Sequence, residues 1–206
     1  MINQCLRPQG LLGRFVLWQM NKRHSGVTDW GLSHVTIQPT DTILDAGCGG
    51  GRTVGKLAAA ATSGKVYGID FSSESVAVSK RNNSQLIEEG RVEIQQASVS
   101  ELPFADSFFD LIVAVETHFW WPNLPGDTRE LYRVLKPGGS VIIIAEVYRG
   151  GTSNHAQFIE KHLPKTGLKL LSIDEHRQLF EEAGFTEVET FTRPEKLWIS
   201  VTGKKP

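Results

Sequence analysis

The chain has 206 residues, 40% of them hydrophobic, and a net charge of −1, which suits one globular domain. The small net charge gives no support for a nucleic acid as the main partner, and no apolar run reaches the roughly 18 residues that span a bilayer. The first residues lack the pattern of a signal peptide. With only Cys5 and Cys48, a disulfide framework is not expected, and a reducing cytoplasm fits best.

Residues 1–40 precede the first predicted core strand. Leu11, Leu12, Phe15 and Trp18 recur at helical spacing and predict an amphipathic helix that leads into a polar loop. Such a helix could pack on the surface of the domain or cover a ligand. We interpret 1–40 as a helical lid.

A glycine-rich turn follows between a predicted strand and a predicted helix. Ile43 suits a buried strand, and Val54 opens an apolar pattern at helical spacing. Glycines in such a turn let a ligand approach the backbone, and the helix N–H groups face that ligand. The dinucleotide-binding fingerprint needs glycines at positions one, three and six. That pattern fails here, because the sixth position counted from Gly47 is Arg52.

An acidic residue stands two positions before the first glycine, in the motif Asp45-x-Gly47-x-Gly49-x-Gly51. A carboxylate would repel a phosphate and would help to hold a cationic amino-acid ligand. The motif resembles motif I of the class I S-adenosylmethionine (SAM)-dependent methyltransferases. The resemblance implies that Asp45 lies near the methionine amino group of SAM. It also implies that Gly47, Cys48, Gly49 and Gly51 let the cofactor approach the backbone.

The second predicted strand, Lys65–Asp70, also ends in an acid. A carboxylate at this tip can accept hydrogen bonds from both ribose hydroxyls of an adenosyl ligand. The resemblance gives Asp70 this role and implies that Phe71 lies against the adenine ring. A helix is predicted over Ser73–Glu89, and alternating residues predict a strand over Val92–Gln96.

The segment after the third strand resembles the type 11 subgroup of these methyltransferases. Leu102–Phe104 and Ser107–Asp110 carry this likeness. The subgroup usually has an Asp that accepts from the adenine amino group at the position that Ser98 holds here. A serine can still accept but carries no charge. We therefore expect either a weaker adenine contact through Ser98 or one made mostly by the backbone of Val99.

The fourth predicted strand, Leu111–Val115, is an apolar run that suits burial on both faces. Ligands bind beyond the carboxyl ends of parallel strands, so the residues that follow are expected near the cofactor and the methyl acceptor. Glu116 and His118 are candidate bases, with His155 third, should the acceptor need to lose a proton. The histidines could equally be structural. The aromatic run Phe119–Trp121 favours an apolar or aromatic acceptor.

The remaining elements complete an alternating pattern of strands and helices. They are a helix over Thr128–Lys136, a strand over Ser140–Glu146, a helix opened by the capping box Ser172-x-x-Glu175 and ended by Gly184, and strands over Phe185–Phe191 and Leu197–Thr202. Residues 148–171 fit no regular pattern and are interpreted as an insertion on the acceptor side. His155 and His162 lack a third ligand nearby, so no metal site is expected.

The sequence thus predicts one α/β domain over 1–206. Its fold is a Rossmann-like, doubly wound, mostly parallel seven-stranded sheet with a C-terminal antiparallel strand and helices on both faces. It divides into the lid (1–40), a SAM-binding core (41–147), the insertion (148–171) and a closing helix and hairpin (172–206).

The resemblance implies a SAM-dependent methyltransferase that acts on a small molecule and releases S-adenosylhomocysteine (SAH). The atom methylated (O, C or S) and the state of assembly, monomer or homodimer, stay open. One alternative is a SAM-binding module without activity that serves a partner enzyme. Another is a nucleotide-dependent oxidoreductase, which the missing sixth-position glycine opposes.

Overall fold

The computed structural model describes residues 25–151 and 170–206, and the statements below refer to these residues. The helices are α1 Ser25–Leu32, α2 Arg52–Ala60, α3 Ser73–Asn82, α4 Ser84–Glu88, α5 Leu124–Val134 and α6 Ile173–Ala183, with a short 3-10 helix at His118–Trp120. The strands are β1 Thr42–Ala46, β2 Lys65–Asp70, β3 Val92–Gln96, β4 Phe109–Val115, β5 Leu135–Ala145, β6 Thr186–Arg193 and β7 Trp198–Lys204. The predicted N-terminal amphipathic helix with Trp18, and the candidate base His155, lie outside the described residues.

The described strands form one seven-stranded sheet in the order β3-β2-β1-β4-β5-β7-β6. β1 pairs in parallel with both β2 and β4, while β3 and β5 extend the parallel part on either side. β7 runs antiparallel between β5 and β6. This confirms the predicted doubly wound fold with its antiparallel C-terminal strand. The order of the strands reverses between β1 and β4, which is where open α/β sheets bind ligands.

Hydrophobic clusters cover both faces of the sheet. Ile142 and Ile144 of β5 belong to one cluster, and Val141 and Ile143 to the other. Successive side chains of a strand point to opposite faces, so a run of fully buried apolar residues requires helices on both sides. The hydrophobic core therefore lies on both faces of the central sheet, and the loops lie at the two ends of the strands.

Two predicted boundaries at α5 were wrong. The helix begins at Leu124 rather than Thr128, because the Asn123 side chain accepts a hydrogen bond from the backbone N–H of Gly126 and caps the helix early. It ends at Val134 because Leu135 already pairs with Phe109 in the sheet. Strand pairing across the sheet overrides the helical pattern at this position.

Two other helices also differ from the prediction. α1 lies where a polar loop was predicted, and it buries Val27 and Thr28. The helix predicted over Ser73–Glu89 is interrupted at Asn83, which separates α3 from α4. Long-range contacts of Asn83, described below, account for this interruption.

The capping box that opens α6 is confirmed. The backbone N–H of Glu175 donates to Ser172 Oγ at 3.2 Å, and the N–H of Ser172 donates to Glu175 Oε2 at 2.7 Å. Gly184 ends the helix at φ 102°, as predicted. Within the described ranges, no helix is long and apolar enough to cross a membrane.

Candidate functional site

The carboxyl ends of β1, β2 and β4 meet at the point where the strand order reverses. The turn that follows β1 is bonded to the end of β2, since the N–H groups of Gly47 and Cys48 donate to the Ile69 carbonyl at 2.9 and 2.8 Å. Thr117 Oγ1, just beyond β4, donates to the Ala46 carbonyl at 3.1 Å. These bonds hold the three strand ends in one surface.

The turn after β1 requires glycine for both conformation and space. Gly47, Gly49 and Gly51 have φ values of 87°, 50° and 79°, in the left-handed region that side chains disfavour. A Cβ on Gly47 would also stand 2.4 Å from Thr117 Cγ2. At Gly49, by contrast, an added Cβ would meet nothing within 4 Å, so the turn is open to a ligand at this residue.

Asp45 is a buried acid at the base of this turn. It is 1% exposed, and among the described residues no donor reaches its Oδ2 atom. Burial, followed by the nearby charge of Asp70, raises the pKa of Asp45 to about 8. A buried carboxylate without a counter-ion is unfavourable, and a bound cation would restore its ionised form. The site therefore fits a ligand that carries an ammonium group, as the methionine end of SAM does.

Asp70 is held in place at the end of β2. Its Oδ2 atom accepts from the N–H of Gly49 at 2.9 Å, and its Oδ1 atom accepts from the N–H of Ser72 at 2.9 Å. Burial raises the pKa of Asp70, and these two hydrogen bonds oppose the shift. Each carboxylate oxygen keeps a further lone pair, so the fixed group can still accept from a ribose diol.

The Cys48 side chain lies beneath the turn and is buried. Burial, followed by the charges of Asp45 and Asp70, raises the pKa of its thiol. The thiol lies 3.7 Å from Ser79 Oγ, which it can reach as a donor. Cys48 is therefore protonated and packed, so the contact with the cofactor that the resemblance implies would come from its backbone.

The predicted adenine-side residues follow β2 and β3. Phe71 is 57% exposed, and Gln96 Nε2 donates to its backbone carbonyl at 2.9 Å. Ser98 Oγ accepts from the N–H of Ser100 at 3.2 Å, while Val99 is buried. Since β2 and β3 are parallel neighbours, these residues lie at the same edge of the sheet as Asp70.

Glu116 lies at the end of β4, directly beyond the switch point. Its φ of 60° is unusual for a residue with a side chain, and its N–H donates to the Ile144 carbonyl at 2.9 Å. Its Oε1 atom accepts from the N–H of Glu146, which follows β5. The side chain is half-buried, so the strand ends hold it in a strained conformation at the same edge as the glycine turn.

His118 is buried and belongs to a histidine pair that the sequence did not reveal. It is 1% exposed, and its Nε2 atom lies 3.1 Å from Nε2 of His176 on α6. Burial lowers the pKa of both rings, to about 4 for His176, so both are neutral near pH 7.

Hydrogen bonding assigns the tautomers of this pair. His176 Nδ1 lies 2.7 Å from the Ser172 carbonyl, which can only accept, so Nδ1 carries the proton. His176 Nε2 is then the acceptor, and His118 Nε2 must donate to it. The proton-free Nδ1 of His118 is buried and meets no donor among the described residues.

The aromatic run after β4 divides between core and surface. Phe119 and Trp121 are buried, and both belong to a core cluster. Trp120 is half-buried and packs against the same cluster. Of the three rings, Trp120 has the most accessible surface for a ligand.

Among the described residues, no group of three or more His, Cys, Asp or Glu side chains could hold a metal ion. The sequence interpretation missed His176, Asn82 and Asn83. The first is part of an ordinary amphipathic helix, and the other two are part of a polar helix end. No short-range signal distinguishes them.

A doubly wound sheet, a buried acid before a glycine turn and a second acid at the end of β2 together fit the class I SAM-dependent methyltransferase domain. The family described as "Methyltransferase domain" matches residues 44–143. Residues 44–143 thus form a domain of this family, the type 11 class I SAM-dependent methyltransferases.

Curated relatives and solved structures agree with this assignment. The chain is 34% identical over 160 residues to the methyltransferase GfsG of Streptomyces halstedii, covering 74% of this chain and 57% of that protein. It is 36% identical over 114 residues to the ubiquinone/menaquinone biosynthesis C-methyltransferase UbiE of Geotalea daltonii, covering 53% of this chain and 47% of that protein. The chain thus spans less than two thirds of these relatives. A SAM-dependent methyltransferase structure from Aquifex aeolicus shares the fold, with a TM-score of 0.72, 20% identity and coverage of 91% and 95%.

Proposed function

We propose that this chain transfers the methyl group of SAM to a small apolar or aromatic acceptor. The observation that carries the proposal is the buried, unpaired Oδ2 of Asp45 beside a glycine turn that is open at Gly49. A carboxyl group in this position ionises most readily beside a cationic ligand. Family membership then supports SAM as that ligand.

The binding roles follow from the places of the side chains. Asp45 would pair with the amino group of the methionine moiety, and Asp70 would accept from the ribose hydroxyls. Phe71 offers an exposed ring for the adenine, with Ser98 and Val99 beside it. Exclusion of water and orientation of the acceptor are the main contributions the protein can make to a methyl transfer.

SAM, when bound, supplies an electrophilic methyl group on a sulfonium. A hydroxyl or carbon acid acceptor must lose a proton as it attacks, so a base near the end of β4 would help. We propose Glu116 for this role, because it is half-buried at the ligand edge, whereas His118 is 1% exposed and its proton-free Nδ1 atom is buried. Glu116 would also border the cofactor. His118 and His155 stay predictions as bases.

One side chain and one relative support the proposed class of acceptor. Trp120 offers a half-buried aromatic surface just beyond β4, where the acceptor is expected. The Geotalea daltonii relative is named as a C-methyltransferase of quinone biosynthesis, which makes an aromatic ring carbon one option beside oxygen or sulfur. A cytoplasmic location is part of the proposal, since Cys48 is a buried free thiol.

Titration calorimetry with SAM and SAH tests the proposal. Wild type is expected to bind both, and Asp70→Asn is expected to bind at least tenfold more weakly because an amide accepts through only one atom. Asp106→Asn is the matched control. Asp106 precedes β4 and is an exposed acid paired with Arg133 of α5. Failure of folded wild type to bind either compound would refute the proposal.

Activity is tested separately, by release of SAH with a panel of phenols, quinols and thiols. Turnover of any of them would support the enzyme. Binding of SAM without turnover, together with a stable protein partner, would favour the alternative of a SAM-binding module. Binding of NAD in place of SAM would favour the oxidoreductase.

A further inference from the structure

The junction between α3 and α4 is bonded to the glycine turn after β1. Asn82 Nδ2 donates to the Gly50 carbonyl at 2.8 Å, and Asn83 Nδ2 donates to the Gly51 carbonyl at 3.0 Å. Two consecutive side chains thus hold two consecutive peptide groups of the turn. The partners are far apart in sequence, so these bonds belong to the tertiary structure.

The contact is closely packed. Ser79 is fully buried and Asn83 is 4% exposed. A Cβ added to Gly51 would stand 2.2 Å from Ser79 Oγ and 2.5 Å from Asn83 Nδ2. The turn and the end of α3 therefore fit against each other without room for even a methyl group.

The interruption of the predicted helix has its cause here. Asn83 leaves the helical conformation, with φ −119° and ψ 21°, between the end of α3 and the start of α4. Its Nδ2 atom donates to the Ser79 carbonyl at 2.9 Å as well as to Gly51. Ending α3 at this residue places both amide hydrogens on carbonyl groups in a buried position, where an unpaired donor would be unfavourable.

The bonds also fix the direction of the peptide groups. The C=O and N–H of a trans peptide point in opposite directions. With the Gly51 carbonyl held toward Asn83, the N–H of Arg52, the first residue of α2, points away from α3. Gly51 supplies no side-chain cap to α2. Its carbonyl also accepts from the N–H of Gly55 at 3.3 Å, so Asn83 holds this peptide group from outside together with the first turn of α2.

We propose that Asn82 and Asn83 are positioning residues for SAM, which hold the peptide groups of Gly50 and Gly51 in the orientation that receives the cofactor. They act through the glycine turn and do not contact the cofactor. This inference rests on the proposed binding of SAM to that turn. It predicts that the loss of one amide weakens cofactor binding while the fold is retained.

Asn82→Ala is the sharper variant, because Asn82 is exposed and its removal leaves the buried Asn83 in place. Its affinity for SAH, measured by calorimetry, is expected to fall about fivefold, which corresponds to the net free-energy contribution of one hydrogen bond. The control is Gln85→Ala, an exposed residue of α4 whose amide donates to Glu89 at 2.9 Å. Asn83→Ala is expected to weaken SAH at least tenfold and also to lower the free energy of unfolding.

A spectroscopic readout separates positioning from a general loss of structure. The Gly50 carbonyl shares its peptide group with the N–H of Gly51, so Asn82→Ala should move the Gly51 amide signal in a ¹H–¹⁵N spectrum of the ligand-free protein. The free energy of unfolding in urea should match that of Gln85→Ala. Glycine signals in other elements, such as that of Gly184 at the end of α6, should stay in place.

The outcomes distinguish this inference from the proposed function. Folded wild type that binds no SAH overturns the proposed function, and the inference with it. Wild type that binds SAH, with Asn82→Ala binding equally well and the Gly51 signal unmoved, overturns the inference alone. Weaker binding that only follows a loss of folded protein would also overturn it, since the role would then be purely structural.

Discussion

Replacing Asp45 with asparagine should stabilise the ligand-free protein and abolish its cofactor site. Burial and the charge of Asp70 raise the pKa of this carboxyl from 3.8 to about 8, so the folded protein holds a proton that the unfolded chain releases. The folded state therefore loses stability as the pH rises from about 4 to about 8. Each pH unit lowers the free energy of unfolding by about 1.4 kcal/mol, so the loss between pH 4 and pH 7 is about 4 kcal/mol. Asp45→Asn lacks this titration.

The assay is urea unfolding of wild type and Asp45→Asn at pH 4, 5.5, 7 and 8. The free energy of unfolding of the variant minus that of wild type should grow by about 4 kcal/mol from pH 4 to pH 7. Other titrating groups act on both proteins and largely cancel in this difference. Asp106→Asn, which replaces an exposed acid paired with Arg133, is measured in parallel as the control.

Binding provides the second half of the same experiment. The affinity of Asp45→Asn for SAH should fall at least tenfold, because an amide cannot pair with the ammonium group as a carboxylate does. In wild type, calorimetry in buffers with different ionisation enthalpies should show that SAH binding at pH 7 releases a proton from the site. A stability difference that is constant with pH would mean that Asp45 is ionised in the folded protein. Unchanged SAH binding would refute its role as the ammonium partner.

Two further predictions concern the glycine turn and the histidine pair. Gly51→Ala should lower the free energy of unfolding in urea by more than about 3 kcal/mol, because its Cβ would overlap Ser79 and Asn83 at φ 79°. Gly49→Ala should lower it by about 1 to 2 kcal/mol, because the space around Gly49 is open and only its φ of 50° is unfavourable. Equal costs would contradict the close packing. The pKa of His176 is lowered to about 4, so the unfolded chain binds a proton at this residue before the folded protein does as the pH falls. Between pH 6.5 and pH 4, the free energy of unfolding of wild type should therefore fall by about 3 kcal/mol relative to that of His176→Gln. Parallel pH profiles for wild type and His176→Gln would show that His176 titrates normally.

The parts of the fold that local patterns determine were predictable from the sequence. β2 and β3 have the predicted bounds because each is a short alternating run between polar or glycine breaks. The capping box at Ser172 depends on two side chains three residues apart, which the sequence displays directly. The start of β5 at Leu135 depends instead on pairing with Phe109, and a helical pattern gave no sign of it.

For the site, the sequence predicted which residues carry the chemistry but not their surroundings. The resemblance implied different ligand partners for Asp45 and Asp70, but the sequence did not show how either carboxyl group is hydrogen-bonded within the protein. In the structure, Asp70 accepts from two backbone N–H groups, while Oδ2 of Asp45 has no donor among the described residues. The difference arises because Asp45 lies within β1, between β2 and β4, where the backbone N–H groups are occupied by strand pairing. Asp70 is therefore the fixed acceptor. Asp45 is the group whose charge changes when a cation binds, so the pH dependence of cofactor affinity should follow Asp45.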